Sequence, residues 1–374
     1  MRIKVCFCWD GFPQYAARCI GAFVKATGIE TVVLATRPGV PVGGMESYCG
    51  CKVIWIGRED DVRARTELRD ITHVFMTGWF VPAFMRLGRV VRTQGGKVIC
   101  LVDNGKSDLD VRAFRRLGVW KDALKSVRFR LKLRGRFDGF MVPGKCGRRL
   151  LEGYGVAPEL ITEGMYAADA TLFRAGPPLK ERPKTIIYVG QFIERKNVKR
   201  MLEAFHRSLD VQAFRRLDVD GWTLELYGSG PLKGELEQLI QQSPNLKSNN
   251  LKSNNQTIHI HDFVQPEQLA ALYRSARIFC LPSLDEHWGL VVHEAALSGC
   301  ALALSGAVCA AEDLLGKANG VMFDPRDVED MSAKLSELMA MDDAALAAAR
   351  EESLALASGI SPELFVKGVA TWLK

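Results

Sequence analysis

The sequence predicts an α/β protein built from two doubly wound, parallel-sheet domains facing each other across a cleft. Three observations predict it. The chain has 374 residues, too many for one ordinary core and suited to two domains of roughly 150–200 residues. Short apolar, β-branched runs alternate with helix-length amphipathic stretches from one end to the other, and parallel strands require such crossovers. The rhythm stops at a Pro-rich, charged passage, 174–183, and then restarts.

In the first half the strand-like runs are 3–9, 31–36, 52–56, 72–76, 97–102, 138–142 and 161–165, with helical stretches at 15–27, 80–93 and 145–154. The second half gives strands at 185–189, 223–227, 257–260, 278–281 and 301–305. Its helices fall at 198–209, 233–242, 266–275, 291–298 and 328–341, and 361–374 reads as one further amphipathic helix. The expected division is a first domain over 1–173, a linker over 174–183 and a second domain over 184–360, with the last helix packing back on the first domain. An identical tandem, Leu-Lys-Ser-Asn-Asn at 246–250 and again at 251–255, is too short for a repeat architecture and reads as a surface insertion.

Hydrophobic residues make up 48% and charged residues 25%, which excludes a disordered chain. No run approaches the roughly 18–20 apolar residues that cross a bilayer. The first residues turn straight into a strand-like run without a signal-peptide pattern, so a cytosolic protein is expected. The ten cysteines lie mostly in apolar runs, and Cys6-x-Cys8 and Cys49-x-Cys51 lack zinc-site spacing, so buried thiols are the expectation. The net charge is +7, yet the window 112–136 alone holds ten Lys or Arg against Asp122. The excess is therefore a patch, not a uniform property.

The chemistry concentrates in the segment from Leu281 to Cys300. A strand ends at Leu281, Pro282 and Ser283 turn the chain, Gly289 permits close backbone approach, and a helix follows. The free amides of a helix N-terminus seat phosphate. Glu286 precedes that seat and Glu294 lies about one turn beyond it. Carboxylates only accept hydrogen bonds, so they suit paired sugar hydroxyls. Two of them astride a phosphate seat can hold the two sugar rings of a nucleotide-diphosphate sugar.

This segment resembles the E-x7-E motif of the large retaining glycosyltransferase family 4, of the GT-B fold with two Rossmann-like domains. The likeness extends to Gly190-Gln-Phe-Ile-Glu-Arg-Lys-Asn197, which is similar to the family's glycine loop, to Tyr227-Gly-Ser-Gly-Pro231, its next glycine turn, and to Asp262-Phe263-Val264, its base-contacting turn. Gly155, Asp169 and Phe173 sit as in the passage ahead of the family's linker. The matching spans about 140–340 and reaches the first third only in outline. By resemblance, Lys196 binds the donor phosphates and meets charge on the leaving diphosphate, Glu286 contacts the donor sugar, and Glu294 holds the ribose. The amides of Gly289, Leu290 and Val291 approach the phosphates. The family commonly has an arginine after the loop glycine, where this chain has Gln191; Arg195 is the neighbouring cation able to compensate.

In the first half, Gly11 after the first strand is a candidate turn near the donor phosphates. Asp103, after the strand at 97–102, stands near the point where many relatives carry a histidine. It is a candidate general base or polar support, and equally a turn or cap residue. No metal is expected: His287 and His293 lack a ligand spacing, and Asp108-x-Asp110 and Asp218-x-Asp220 read as loop acids. The basic stretch, with Arg128, Arg130, Lys132 and Arg134 at its centre, interleaves cations with Leu, Val and Phe and suits an anionic membrane surface or acceptor rather than nucleic acid. The implied activity is metal-independent, retaining transfer of a sugar from a nucleotide-diphosphate donor to a glycan or lipid-linked acceptor. It would belong to bacterial cell-surface polysaccharide or lipopolysaccharide synthesis, in the cytosol or peripherally on the inner face of the membrane. A sugar-nucleotide epimerase of the same shape, or a nucleotide-binding protein with a degenerate site, are the alternatives. A dehydrogenase is disfavoured, because no G-x-G-x-x-G follows a strand-like run.

Overall fold

The computed structural model describes residues 2–39, 43–62, 65–103, 127, 129, 135–210, 221–242 and 257–374. Arg128, Arg130, Lys132 and Arg134, both Asp-x-Asp pairs and the tandem at 246–255 lie outside the described residues. The chain forms two compact units. The first takes the described residues up to 169 together with Ile360–Lys374, and the second takes Ala170–Gly359.

In the first unit, β1 (Lys4–Trp9), α1 (Gln14–Thr27), β2 (Glu30–Ala35), α2 (Met45–Cys49), β3 (Lys52–Trp55) and β4 (His73–Met76) open the chain. They are followed by α3 (Pro82–Thr93), β5 (Lys97–Leu101), β6 (Gly139–Val142), α4 (Lys145–Gly153) and β7 (Ile161–Glu163). The seven strands form a parallel sheet in the order β3-β2-β1-β4-β5-β6-β7. The chain runs outward one way from β1 to β3 and then restarts beside β1 at β4, so the topological switch point lies between β1 and β4. The inner strands β4 and β6 are fully buried runs, as a sheet covered on both faces requires, while the edge strands β3 and β7 are only partly buried. Gly28 stops α1 with φ 63°, its amide returning to the Val24 carbonyl, while Pro82 starts α3 where no intrahelical donor is lost.

The second unit runs β8 (Thr185–Val189), α5 (Val198–Asp210), β9 (Thr223–Tyr227), α6 (Lys233–Gln242), β10 (Ile258–His261), α7 (Pro266–Ser275) and β11 (Ile278–Leu281). It continues through α8 (Leu290–Leu297), β12 (Ala301–Ser305), α9 (Ala311–Leu314), β13 (Gly320–Phe323), α10 (Val328–Met339) and α11 (Asp343–Ser358). Its parallel sheet has the order β10-β9-β8-β11-β12-β13, with the switch point between β8 and β11. Asp327 and Asp342 cap α10 and α11 with their carboxylates. The last helix, α12 (Pro362–Ala370), belongs to the first unit, where Phe365 lies 5.7 Å from Phe7 and Phe7 stacks on Phe75 at 5.3 Å.

Several elements differ from the sequence expectation. The edge strand β13 and the sixteen-residue α11 were not expected. The first is a four-residue segment around Gly320, whose virtual Cβ would lie 2.0 Å from the Leu302 carbonyl, so backbone closeness and not β-propensity selects it. The second is Ala-rich and only weakly amphipathic, so periodicity gave it no signal. The Pro-rich passage 174–183 is not a bare tether. Arg182 is buried and donates to the carbonyls of Pro177, Tyr273, Ala276 and Ser298, which stitches the passage to the second unit. Cys6, Cys8, Cys19, Cys49, Cys100, Cys280 and Cys300 are buried free thiols and Cys51 is half-buried.

Candidate active site in the second unit

Arg195, Lys196, Glu286 and Gly289 lie beyond the carboxyl ends of β8 and β11, on the two sides of the switch point, whereas Phe263 and Val264 follow β10 and Glu294 lies within α8. After β8 the chain makes a tight loop, Gly190 to Phe192, then one 3₁₀ turn at Glu194–Lys196. Asn197 ends that turn at φ 58°, a left-handed conformation that Asn tolerates. Its side-chain amide donates to the carbonyls of Pro282 (3.1 Å) and Pro325 (2.7 Å), which clamps the turn against the loop after β11. The Leu284 amide donates to the Arg195 carbonyl at 2.8 Å. Asn197 thus fixes the backbone of the turn that carries Lys196.

Lys196 and Glu286 make direct contact, ammonium to Oε2, although ninety residues separate them. Both are buried. Ser283 Oγ donates to the same carboxylate at 3.0 Å, and Arg195 Nη1 lies 3.8 Å from its other oxygen while bonding the Asp285 carbonyl at 2.5 Å. Two cations and one anion leave this cluster with a net positive charge. The loop around it is rigidly held. Glu286 forms an isolated parallel bridge with Val308, Trp288 is buried with its indole donating to Asp313 at 3.0 Å, and Ser305 Oγ donates to the Ser283 carbonyl.

Gly289 follows at φ 96° and begins α8, which has no side-chain cap and no acid in its first turn. A Cβ at Gly289 would meet Glu286 Cγ at 3.2 Å. So the uncapped helix start, carrying the amides of Leu290 and Val291, lies beside the Lys196–Glu286 pair. Such a helix end favours an anion. Glu294, one turn further on, accepts from the Tyr273 hydroxyl at 3.3 Å. Burial pushes its carboxyl up to about 7. His293, flanking it, is buried with its ring against the Ala357 carbonyl at 3.0 Å, and desolvation lowers it to about 4. It is a packed, neutral core residue. Groups of three or more potential metal ligands are absent among the described residues.

The glycine turn after β9 has a steric reason. A Cβ at Gly228 would lie 1.9 Å from the Gly190 carbonyl oxygen, and one at Gly230 would lie 2.5 Å from that of Phe192. The Phe192 amide donates to Ser229 O at 2.8 Å and Gly190 N to Tyr227 O at 3.0 Å. Gly190 and Gln191 thus sit on a loop pressed against the next one. Tyr188, below it, donates to the Gln191 carbonyl, and burial together with the Glu286 charge raises its hydroxyl well above its ordinary value. Gln191 itself is exposed. Phe263 is exposed and Val264 half-buried in the turn after β10, where Lys233 pairs with Asp262.

Of the residues named in the first half, Gly11 has φ 65° and donates to Thr36 Oγ1 at 2.7 Å. Asp103 accepts from the Tyr166 hydroxyl at 2.6 Å. Both lie in the first unit. Three side chains that sequence reasoning passed over are Ser283, Tyr273 and Tyr188. Single hydroxyls carry no spacing signal, so only the fold shows them.

Residues 169–353 match the family "Glycosyl transferases group 1". Sulfoquinovosyl transferase SQD2 of Arabidopsis thaliana is 32% identical over 163 residues, which is 42% of this chain and 27% of that protein. The chain's matches span 18 to 37% of the length of the curated relatives. The fold is also that of sucrose-phosphate synthase from Thermosynechococcus elongatus, at TM-score 0.70, 14% identity and coverage of 99% and 98% of the two chains. Anabaena HepE in complex with UDP and glucose matches at TM-score 0.68 and 13% identity, with 99% of each chain covered. Helices long and apolar enough to cross a membrane are absent among the described residues.

Proposed function

We propose that this chain, which has the GT-B fold and whose second unit matches the group 1 glycosyl transferases, is a retaining glycosyltransferase that uses a nucleotide-diphosphate sugar. One observation carries the reading: the buried Lys196–Glu286 pair, flanked by Arg195, lies against the uncapped start of α8 at Gly289. A diphosphate bound there would meet backbone amides and two cations without a metal ion. Glu286 would accept from hydroxyls of the transferred sugar. Lys196 would then neutralise charge building on the departing phosphate oxygen. That charge has to appear in the transition state, so the stabilisation raises the rate and does not merely tighten binding. Arg195 supplies the second cation that the exposed Gln191 lacks.

Glu294 would receive the ribose hydroxyls, and the turn at Phe263 and Val264 would face the base. The complex of HepE with UDP and glucose supports a uridine donor as the first to try. The acceptor would be a glycan or a lipid-linked glycan bound by the first unit, with Asp103, held by Tyr166, as its polar support. The role of the basic stretch at Arg128, Arg130, Lys132 and Arg134 would be to hold an anionic surface or acceptor.

The test is a thermal-shift panel of UDP, GDP, ADP and their sugar conjugates. A ligand at about 100 times its dissociation constant adds roughly 2.7 kcal/mol of stability. One nucleotide diphosphate should stand out from the others. Equal, negligible shifts for all three would overturn the donor reading. A donor-only incubation that yields a new sugar nucleotide would favour an epimerase instead.

A further inference from the structure

The switch point of the first sheet carries its own group of side chains, which the donor chemistry does not use. Asp10 stands at the end of β1 and its carboxylate accepts from Thr36 Oγ1 at 2.7 Å. It also accepts from Arg58 twice, Nε at 3.1 Å and Nη2 at 2.7 Å. The Asp10 amide donates to Thr77 Oγ1 at 2.9 Å, tying the end of β1 to the end of β4. Gly78, at φ 60°, brings that strand's turn against Asp10: a Cβ there would lie 2.9 Å from the Asp10 Cβ. This pair is thus held on both strands that flank the switch point.

Aromatic rings adjoin it. Arg58 lies 5.7 Å from the centre of Phe80, and Phe80 packs edge-on to Trp79 at 6.0 Å. Phe80 is 57% exposed. A large apolar ring left in water beside an ordered ion pair is the feature that core packing does not account for. On the β3 side, Trp55 lies 6.2 Å from the buried Phe12 and has Arg37 at 4.9 Å over its ring.

We infer that Asp10, Arg58 and Phe80 form a saccharide-binding subsite for a neutral pyranose. A carboxylate and a guanidinium fixed side by side offer acceptors and donors to neighbouring hydroxyls. An exposed ring beside them takes the apolar face of the sugar. Neutrality follows from the pairing. The charge of Arg58 is already matched by Asp10, so an acidic sugar or a phosphate would find its cation engaged and an anion facing it. In open α/β sheets ligands bind beyond the carboxyl ends of the strands at this point of reversal. That this sugar is the acceptor rests on the transfer reading above; that a sugar binds here does not.

The experiment is saturation-transfer difference NMR on the full chain with cellobiose at about 10 mM, a concentration suited to millimolar dissociation constants, and glucuronic acid as the anionic control. Wild-type protein should saturate the protons of one face of a glucosyl ring, and glucuronic acid should receive at least several-fold less. Phe80→Ala should cut the cellobiose signal by about fivefold or more, with an unchanged melting temperature because the ring is already exposed. Arg58→Met should cut it as well, and serves as the second variant. Absence of transfer in the wild type, an unchanged signal in Phe80→Ala, or stronger transfer to glucuronic acid would each overturn the subsite. A UDP thermal shift on the same preparation reads the donor site separately, so failure of one reading is distinguishable from failure of the other.

Discussion

The two units repeat one construction and finish it differently. In each, the first strand ends in a short loop leading to a buried phenylalanine, Phe12 in one and Phe192 in the other. In each, the amide of that phenylalanine bonds a carbonyl beyond the adjacent strand, Thr36 O at 3.1 Å and Ser229 O at 2.8 Å. What differs is how the loops are held. The second unit uses bare backbone, with Gly228 and Gly230 letting one loop press on the next. The first unit uses side chains, with Asp10, Thr36, Thr77 and Arg58 bonded around the turn. Backbone packing leaves amides and a helix start to face an anion. Side-chain packing fills that space with hydroxyls, a carboxylate and a guanidinium, which suit a polyol. One scaffold thereby offers two chemistries.

The sharpest test of this contrast is Lys196. Its removal leaves Glu286 as a buried carboxylate with Arg195 only at 3.8 Å. Breaking a buried pair by deleting one partner costs about 3–5 kcal/mol, and losing a group that meets transition-state charge costs about 10²- to 10³-fold in rate. Lys196→Ala should show both, by urea unfolding and by turnover of the donor found in the panel. Lys196→Met combined with Glu286→Gln removes both charges, so stability should return while activity stays lost. Near-normal turnover in Lys196→Ala would refute its assigned role.

Gly228→Ala tests the backbone half of the comparison. The added methyl would lie 1.9 Å from the Gly190 carbonyl oxygen, so the two loops must part. Overpacking of this kind costs about 1–3 kcal/mol, and the displaced loop carries Gly190 and, beyond its turn, Lys196. A loss of stability accompanied by weaker nucleotide binding is expected, measured by denaturant midpoint and thermal shift. Unchanged binding would mean that the glycine serves packing alone.

The same contrast explains what was legible in the sequence. Buried strands are continuous apolar runs, so twelve strands were placed within a residue or two, and the doubly wound class followed from their alternation with helices. The second-unit site was legible because backbone chemistry forces particular residues: glycine where φ is positive or a neighbour too close, asparagine at Asn197, and two acids at a fixed interval. The first-unit cluster was not legible beyond Gly11. Asp10, Thr36, Arg58 and Thr77 are far apart in sequence, and each is an ordinary surface residue type until the sheet order brings β1, β2 and β4 together. Phe80 reads as a helix start, whereas α3 begins at Pro82 and leaves the ring in solvent. The pairing of Lys196 with Glu286 was equally out of reach, because two charges in sequence do not say whether they touch.

A subtler probe is pH. Burial holds the Glu294 carboxyl at about 7, above its ordinary 4.5. Between those values the folded chain keeps a proton that the unfolded chain has released. Its contribution to stability is therefore full below about 4.5 and is lost as pH rises through 7. Glu294→Gln removes this dependence, so the variant should gain on the wild type progressively from pH 5 to pH 8 in urea unfolding. Binding should run the opposite way. If Glu294 holds the ribose, its ionised carboxylate would accept from both hydroxyls, so wild-type UDP affinity should strengthen more steeply between pH 6 and 8 than the variant's, in which only the UDP phosphate ionises over that range. Parallel pH profiles for the two proteins would remove Glu294 from the ribose contact.

The smallest effect belongs to the side-chain half. A Cβ at Gly11 would meet nothing within 4 Å, yet the residue holds φ 65°. Alanine there has room and pays only for the left-handed backbone, about 1–2 kcal/mol. Because Thr36 and Arg58 bond Asp10 through side chains and not through a close-packed loop, that strain should stay local. Gly11→Ala should lower the melting temperature by a few degrees and leave the saturation-transfer signal of cellobiose in place, whereas Gly228→Ala disturbs its site along with its stability. A loss of saccharide binding in Gly11→Ala as complete as in Phe80→Ala would show that the first unit, too, depends on its backbone, and the proposed division of labour between the two turns would fall.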